Sequence, residues 1–396
     1  MVPGEPRRRG ADAIVTATVH GPVDVVCLGE SMVTFLPTRE GRLAEVTSFA
    51  RGIGGAESNV ACALSAVGHR ARWIGRVGAD GFGEHLVASI AAYGVDTSAV
   101  QRDPDRPTGI YFRTATDRAT DTHEVLYYRA GSAASAMSAA TVPGDAVWSG
   151  RVLHVSGITA ALSPQCLALM RDLTARRPGR PLVSFDVNHR PGLWRDAPGA
   201  RVLLELARGA DIVFVGEDEA EETWGVRGAR SIRAALPEPE VVVVKRGARG
   251  ATAFARRSEP FPSPPPGGTG GPPDAVTHMP APTVDVVAPV GAGDAFAAGF
   301  LSATLRGLSV RHRLRHGHLM AAAVLTVADD LAAPPTLPRL SPGGAPTDHH
   351  PSASRRAAPL TRAHADRLAG LDDGAWGTLH LGPGWTAAAD EEVRTA

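Results

Sequence analysis

An acidic residue late in the chain follows a short glycine turn. Asp294 comes directly after Gly291, Ala292 and Gly293, and the residues that follow it favour a helix. A glycine turn that opens a helix leaves backbone N–H groups free to bind an anion, and the helix dipole favours negative charge there. An aspartate in the first helical turn could accept the proton of a hydroxyl that attacks a phosphoryl group. These four residues therefore predict an anion hole with Asp294 as catalytic base.

Other interpretations of this segment are simpler or belong to other nucleotide sites. Gly291 and Gly293 could form a plain turn with Asp294 as a helix cap. A dinucleotide fingerprint requires Gly-x-Gly-x-x-Gly after an early strand, and this segment lies late with another spacing. A P-loop is excluded because the sequence has no Gly-x-x-x-x-Gly-Lys-Ser/Thr.

A second glycine-rich element lies near the start of the chain. It runs from Gly54 to Asn59 and precedes a helix expected over residues 60–67. The glycines would let a ligand approach the backbone. The amide of Asn59 and the carboxylate of Glu57 could hydrogen-bond sugar hydroxyls. The alternative is an ordinary helix start with Ser58 or Asn59 as cap.

The elements that must position these residues indicate an α/β fold. Short, β-branched, unalternating runs are typical of buried parallel strands: Val23 to Leu28, Val152 to Val155, Leu182 to Phe185, Ile212 to Val215 and Val241 to Val244. Helix-length amphipathic stretches lie between them, which predicts a three-layer sandwich around a mostly parallel central sheet. Residues of about 30–53 and 107–130 alternate polar and apolar and predict a small antiparallel β-sheet lid that excludes water from the site.

Composition excludes several functional classes. The 396 residues are 43% hydrophobic and 21% charged, with 41 Lys plus Arg against 41 Asp plus Glu, so no net charge attracts nucleic acid or a membrane. No stretch resembles a signal peptide or a membrane span. The three cysteines have no paired or metal-binding spacing, which indicates reduced thiols and a cytoplasmic protein.

Three segments are expected to lie outside the folded domain. Residues 1–22 precede the first strand and are expected to form a flexible extension. Residues of about 256–282 contain a dense Pro/Gly tract and predict a surface insertion. Residues 339–396 lack a sustained period and predict a disordered tail.

The two glycine-rich elements together resemble the ribokinase-like, or PfkB, family of carbohydrate kinases. Gly54-Gly55 with Asn59, followed by Gly75 to Asp80 and Gly83, is similar to the N-terminal signature of that family, and Gly291 to Gly299 is similar to the C-terminal one. The resemblance covers about residues 23–338. It implies a ribokinase-like core with a lid, ATP and Mg²⁺ as cosubstrates, an anion hole at Gly291 to Gly293, Asp294 as base, and a homodimer or higher homo-oligomer.

Within that family the chain most resembles kinases of 2-keto-3-deoxygluconate. The matching motifs include Tyr127-Tyr128-Arg129 and Asp186 to Pro191. Arg129 and Arg190 suit a sugar acid, because guanidinium binds carboxylate in a planar pair. By this resemblance the sugar would contact Gly55, Ala56, Glu57, Ser58, Asn59, Tyr111, Tyr127, Tyr128, Arg129, Arg190, Asp294 and Asp329. The nucleotide would contact Asn188, His189, Arg190, Lys245, Arg246, Gly247, Ala248, Arg249, Gly250 and Gly291 to Asp294.

The sequence also departs from the pattern of the family. Many members carry Asp six positions before the catalytic Asp, where it helps to bind a monovalent cation, but this chain has Ala288, so activation by K⁺ is in doubt. An Asn-x-x-Glu motif near Mg²⁺ is only partly present, which leaves Glu219 as an indirect metal candidate. Either Asp329 or Asp330 could face the sugar. The turn from Lys245 to Gly250 could also be a simple hairpin.

Three hypotheses about function follow. The first is a kinase that phosphorylates a primary hydroxyl of 2-keto-3-deoxygluconate. The second is the same chemistry on a neutral sugar or nucleoside such as fructose, ribose or adenosine, which would need neither Arg129 nor Arg190. The third is a catalytically silent sugar-binding regulator on the same fold, which would have no need for the base Asp294.

Overall fold

The structure, a computed structural model, describes residues 22–39, 41–114, 124–194, 199–256, 274–327, 331 and 359–387. The strands are β1 (Val23–Leu28), β2 (Met32–Pro37), β3 (Phe49–Gly54), β4 (Ala71–Ile74), β5 (Arg76–Gly78), β6 (Gln101–Asp103), β7 (Ile110–Arg113), β8 (Val125–Tyr128), β9 (Gly150–Ser156), β10 (Leu182–Asp186), β11 (Ile212–Gly216), β12 (Val241–Lys245), β13 (Ala251–Ala255), β14 (Ala275–Met279), β15 (Thr283–Val284) and β16 (His380–Leu381). The α-helices are α1 (Ala56–Ala66), α2 (Gly81–Ala91), α3 (Gly144–Val147), α4 (Gly157–Ala160), α5 (Pro164–Thr174), α6 (Gly199–Gly209), α7 (Glu217–Trp224), α8 (Ala229–Ala235), α9 (Ala292–Leu305), α10 (Val310–Leu325), α11 (Arg362–Ala369) and α12 (Asp373–Gly377).

The central sheet has eight strands in the order β14-β13-β12-β11-β10-β9-β1-β4. The pairs from β4 to β12 are parallel, and β13 and β14 add antiparallel at the edge. Apolar cores lie on both faces: α1, α9 and α10 contribute to one, and α5 and α6 to the other. This confirms the predicted three-layer α/β sandwich. The five predicted strands form because a strand buried on both faces requires an apolar side chain at nearly every position.

A separate four-stranded sheet has the order β3-β2-β7-β8 and corresponds to the predicted lid. Its outer pairs are antiparallel, but β2 and β7 run parallel. The expectation of a fully antiparallel sheet is therefore wrong for the central pair. Between these two strands the chain passes through α1, β4 and α2, so it returns in the same direction, as a crossover connection does.

The boundaries of two predicted irregular segments need correction. Residues 275–279, within the predicted insertion, form β14 and pair with β13. Residues 359–387, within the predicted disordered tail, form α11, α12 and β16 and bury Trp376 and Trp385. Both segments lack a long periodic pattern of apolar residues, but a strand can pair at a sheet edge and single tryptophans can be buried without one. Most of the N-terminal extension, residues 257–273 and the rest of the tail lie outside the described residues.

In the described part of the chain, no helix is long and apolar enough to cross a membrane. The carboxyl ends of the parallel strands β10, β11 and β12 carry Asp186, Gly216 and Lys245 at one edge of the sheet. Ligands of open α/β sheets bind at that edge. The N-terminus of α9 reaches the same region, because Lys245 Nζ lies 3.5 Å from the position that a Cβ on Gly293 would occupy.

Candidate active site

The predicted glycine turn forms at the start of α9. Gly291 is the N-cap with φ 77°, in the left-handed region that favours glycine. The intrahelical hydrogen bond from Ala295 N to Gly291 O measures 3.0 Å. The amides of Ala292, Gly293 and Asp294 precede that bond, so they are the ones a helix leaves without an internal acceptor. The turn therefore has the backbone arrangement of an anion site.

Asp294 lies in the first turn of α9 and contacts α1. Asn59 donates a hydrogen bond from Nδ2 to Asp294 Oδ2, 2.9 Å long, across 235 positions of sequence. Burial raises the pKa of Asp294 to about 7, with the charge of Asp186 adding to it, although the Asn59 hydrogen bond and the charges of Lys245 and Arg190 lower it. A carboxylate with this pKa is partly ionised at neutral pH and can take up a proton there.

Lys245 lies at the end of β12, between the turn and a second aspartate. Its ammonium donates to both carboxylate oxygens of Asp186, at 3.1 and 2.9 Å. Burial opposes the charge of Lys245, but the carboxylates of Asp186 and Glu219 outweigh it, so the pKa of Lys245 is raised. The lysine is therefore a fixed cation beside Gly293, in reach of an anion held at the turn.

Glu219, the metal candidate, is occupied by backbone donors. Its Oε1 accepts from the amide of His189 and its Oε2 from the amide of Gly216, the latter at 2.9 Å. Burial raises the pKa of Glu219, and the charge of Asp186 adds to that. Neighbouring Asn188 has φ 41°, which is rare for a residue other than glycine. Glu219 therefore holds the segment after β10 in place, and any effect on a metal is indirect.

The described residues contain no group of three acidic, histidine or cysteine side chains that could hold a metal ion by themselves. This donor set fits Mg²⁺ that comes with nucleotide phosphates and keeps several waters, and does not fit an all-protein cage.

The segment from Gly55 to Asn59 has a different role at each position. Helix α1 begins at Ala56, four residues earlier than predicted, with Gly55 as N-cap. A Cβ on Gly55 would lie 2.5 Å from Glu30 O, so this glycine admits a neighbouring backbone rather than a ligand. Buried Ser58 donates to Gly55 O. Of this segment, Asn59 hydrogen-bonds the carboxylate of Asp294.

Glu57 turns away from Asp294 into the core. Its Oε1 accepts hydrogen bonds from Ser156 N at 3.0 Å, Ser156 Oγ at 2.8 Å and Thr159 Oγ1 at 3.1 Å. Burial raises its pKa to about 7, although these hydrogen bonds lower it. Glu57 thus connects α1 to the end of β9. Its predicted contact with a sugar hydroxyl would have to involve Oε2, which has no hydrogen-bond partner among the described residues.

The two adjacent tyrosines of the lid lie on opposite faces. Tyr127 pairs in register with Tyr111, their rings 5.4 Å apart, whereas the ring of Tyr128 contacts Phe112. Adjacent residues of a strand point to opposite sides of a sheet. Tyr111 and Tyr127 can therefore contact one ligand together, and Tyr128 belongs to the other face.

The two predicted carboxylate ligands differ in their surroundings. Arg129 forms an ion pair with buried Glu30, which also accepts from Ser132 Oγ at 2.9 Å, and its guanidinium lies 5.5 Å from the Tyr127 ring centroid. Arg190 is exposed and donates to the carbonyl of His189. Its charge lowers the pKa of Asp294.

The turn from Lys245 to Gly250 joins β12 and β13 as a hairpin. Gly250 has φ 102°, and a Cβ there would lie 2.2 Å from Met279 O. Arg246 and Arg249 both pair with Glu217, at 3.2 and 2.8 Å. Gly247 and Ala248 lie in the exposed short helical turn between them. The hairpin alternative is thus correct for the backbone, and contact with a nucleotide stays a prediction.

Sequence reasoning did not assign two residues of this site. Asp186 ends β10 and fixes Lys245, and Glu30 fixes Arg129. Asp186 lies inside a motif that resembles the family, and an acidic residue at the end of a buried strand is a signal that could have identified it. Asp329 and Asp330 lie outside the described residues.

Comparison with known proteins agrees with this geometry. The chain is 34% identical over 330 residues to a 2-dehydro-3-deoxygluconokinase of Bacillus subtilis, covering 81% of this chain and 94% of that protein. It is 32% identical over 318 residues to a 2-dehydro-3-deoxygluconokinase of Thermoproteus tenax, covering 79% and 92%. Among solved structures, an uncharacterized sugar kinase from Pyrococcus horikoshii in complex with ATP superposes with a TM-score of 0.66 at 26% identity, covering 78% of this chain and 95% of that one.

The match to a family extends over most of the domain. Residues 23–337 match the pfkB family carbohydrate kinases, a range that includes the lid, the Asn59 helix and the turn before Asp294. The glycine turn before Asp294, the two sheets and this match over residues 23–337 agree, and the protein belongs to the pfkB family of carbohydrate kinases.

Proposed function

We propose that the protein transfers the γ-phosphate of ATP to the primary hydroxyl of 2-keto-3-deoxygluconate, giving 2-keto-3-deoxy-6-phosphogluconate. The observation that carries this proposal is the carboxylate of Asp294, with a pKa of about 7, next to the open amides of the Gly291 turn. The named activity of the Bacillus subtilis and Thermoproteus tenax relatives supports this substrate.

In this reaction the sugar hydroxyl oxygen forms a bond to the γ-phosphorus while the bond to the leaving ADP oxygen breaks. Asp294 accepts the hydroxyl proton, and Asn59 holds the carboxylate in position through its 2.9 Å hydrogen bond. The amides of Ala292 and Gly293 stabilise the charge on the transferring group. Mg²⁺, when bound with ATP, neutralises charge on the phosphate oxygens.

The nucleotide is proposed to lie along the carboxyl edge of the central sheet. Lys245 presents its ammonium beside Gly293, which has no side chain to block the approach of a phosphate. Asn188 and the turn from Arg246 to Gly250 lie at the same edge and are proposed to contact the rest of the nucleotide. The ATP complex of the Pyrococcus horikoshii sugar kinase supports the choice of ATP.

For the sugar, we assign the carboxylate to Arg190. Arg129 is already paired with Glu30, whereas Arg190 is exposed and contacts a backbone carbonyl. Among the described residues Arg190 has no carboxylate partner, and such a guanidinium gains more from binding one than a guanidinium that is already neutralised. Tyr111, Tyr127 and the edge of Arg129 are proposed to contact the sugar hydroxyls.

The substrate can be tested by ADP release from MgATP with 2-keto-3-deoxygluconate, 2-keto-3-deoxygalactonate, fructose, ribose and adenosine. We expect selective turnover of a keto-deoxy acid. Arg190→Ala should raise KM for the acid roughly tenfold or more, as expected for the loss of a charge-assisted pair. The control is Arg171→Ala, which removes an exposed arginine that pairs with Glu205 far from the site.

Preference for a neutral sugar, or an unchanged KM in Arg190→Ala, would reject the acid as substrate and leave the kinase chemistry intact. Failure of every acceptor would support the regulatory hypothesis.

We further propose that the protein works in the cytoplasm, because Cys27, Cys62 and Cys166 are all unpaired and buried.

A homo-oligomer formed through the lid is supported by β8, an edge strand with Leu126 and Tyr128 exposed. Light scattering of the purified protein measures the oligomeric state.

A further inference from the structure

The described residues 359–387 form a small unit that we name the C-terminal module. It contains α11, α12 and β16, and it lies beyond residues 23–337, the part that matches the kinase family. Trp376, Leu379 and Leu381 are each at most 1% exposed and join the core on the α9 and α10 side of the sheet. The module is therefore packed into the fold of the kinase domain, although its residues lie outside the range that matches the family.

The module holds the segment that leads into the catalytic turn. This segment, the arm, comprises residues 280–290 and joins β14 to Gly291. Strand β16 pairs with β15 of the arm. The hydrogen bonds that connect the two include Trp376 Nε1 to Pro280 O at 2.9 Å, Thr283 N to Leu379 O at 2.9 Å, Asp285 N to Leu381 O at 3.1 Å and His380 Nε2 to Asp285 Oδ1 at 2.9 Å.

Apart from buried Pro282 and from Val284, which packs against the core, the arm is largely exposed. Val286 is 50% exposed, and residues 283, 285 and 289 are exposed as well. Near the turn, the amides of Val287 and Ala288 donate to Leu325 O at 2.7 and 3.3 Å. An exposed segment with little apolar burial depends on its hydrogen bonds for its local stability. The bonds to the module therefore make up a large part of what fixes the arm.

Buried Arg315 of α10 anchors the module. Its guanidinium is 1% exposed and donates to the carbonyls of Ala369 and Leu371, which lie at and just after the end of α11. It pairs with Asp373 at 3.0 Å and lies 4.6 Å from the ring centroid of Trp376. One side chain thus fixes the module to α10 and orients the tryptophan whose N–H reaches the arm.

The module also contacts the ends of the two helices that carry the base and its partner. Arg362 donates from Nε to Val67 O at the C-cap of α1, which carries Asn59. Asp366 pairs at 2.8 Å with Arg306, the C-cap of α9, which begins next to Asp294. The module therefore bridges α1, α9, α10 and the arm.

We propose that the C-terminal module is a clamp that positions the catalytic turn, with Trp376 as the positioning residue that ties it to the arm. The kinase readout of this proposal rests on the proposed function, whereas its effects on the arm and on nucleotide binding do not. A shift of the turn by a fraction of an ångström would misplace the anion hole and Asp294 relative to the phosphate, and misplacements near 1 Å cost about 100-fold in rate.

The test compares two conservative variants of the full chain, Trp376→Phe and Trp385→Phe. Each removes one indole N–H from the module, but the Trp376 N–H bonds the arm, whereas the Trp385 N–H has no acceptor in the part of the chain that the structure describes. The measurements are amide hydrogen exchange of residues 283–290, MgATP affinity by calorimetry without sugar, and kcat and KM for the sugar. Melting temperatures define a temperature at which each variant is folded.

In Trp376→Phe we expect exchange in the arm to become about fivefold faster, the scale of one lost hydrogen bond. MgATP affinity and kcat should both fall roughly three- to tenfold, with KM for the sugar unchanged. Trp385→Phe should leave all of these near the wild-type values. Trp376→Ala should enlarge each effect.

Equal behaviour of the two Phe variants, or faster arm exchange with unchanged MgATP affinity and kcat, would overturn the clamp and leave the module a purely stabilising role. If the wild-type protein turns over no sugar, the proposed function fails, and arm exchange together with MgATP affinity still decides on the clamp.

Discussion

The substitution Asn59→Ala removes the hydrogen bond that Asn59 Nδ2 donates to Asp294 Oδ2 at 2.9 Å. This bond favours the ionised form of Asp294 and lowers its pKa, while burial and the charge of Asp186 raise it. Without Asn59, the factors that raise the pKa are less opposed. We therefore expect Asp294 to ionise at higher pH in the variant, so that less of the base is available at neutral pH.

The size of the effect follows from the energy of the lost bond. A hydrogen bond to a charged group contributes about 1.5 kcal/mol, and roughly 1.4 kcal/mol corresponds to one pKa unit. The midpoint for ionisation, a pKa of about 7 in the wild-type protein, should thus move upward by about one pH unit. At pH 7 the ionised fraction would fall from about one half to about one tenth, a roughly fivefold loss of active base.

The assay is kcat/KM for the sugar at saturating MgATP, measured from pH 5.5 to 9. In the wild-type protein we expect kcat/KM to rise with pH through about 7, because Asp294 must lose its proton to act as base. Asn59→Ala should shift this rise to higher pH. Ser58→Ala is the matched control on the same helix, since Ser58 bonds Ser31 and Gly55 and not Asp294.

The position of the pH-dependent rise, and not the absolute rate, is the decisive readout, because Asn59 could also contact the sugar. If the rise occurs at the same pH in Asn59→Ala as in the wild-type protein, the hydrogen bond does not set the pKa of the base.

Three further predictions concern the site. Asp294→Asn should lower kcat by about 10²- to 10⁴-fold, because it removes the proposed base, and full activity would reject that assignment. The variant should stay folded at pH 8, as checked by circular dichroism, because it removes a carboxylate whose raised pKa makes ionisation unfavourable in the fold. Replacing K⁺ by tetramethylammonium should leave the rate unchanged, because Ala288 provides no carboxylate and Leu325 O already accepts two amides of the arm; dependence on K⁺ would contradict it. Glu219→Gln should lower the free energy of unfolding by about 1–3 kcal/mol, since one of its two backbone donors loses an acceptor. The Mg²⁺ concentration for half-maximal rate should stay unchanged. A large rise in that concentration in a stable variant would instead identify Glu219 as a ligand.

The glycine turn from Gly291 to Gly293 could be predicted because its requirements are local. Gly291 adopts φ 77°, and the helix that follows exposes amides whatever the rest of the fold does. The strands of the central sheet could be predicted for a related reason, since unbroken apolar runs such as Val241 to Val244 can be buried only between two layers.

The C-terminal module could not be predicted, because its helices are too short to show a period. Helix α11 has eight residues and α12 has five, and Trp376 is buried by partners that lie far away in sequence, such as Arg315. A pattern method needs about three turns of helix to recognise an apolar face. These short helices are instead stabilised by packing against the core of the kinase domain, which leaves no periodic pattern in their own sequence.

The sequence by itself determined most strands and helices of this kinase and the glycine turn before Asp294, because glycine geometry and apolar runs act over a few residues. Only the tertiary structure decided which side chains meet. It placed Asn59 on Asp294 across 235 positions, paired Arg129 with Glu30 and separated Tyr127 from Tyr128. Such contacts depend on how distant elements pack, and the energies of individual polar contacts become large only where packing has excluded water.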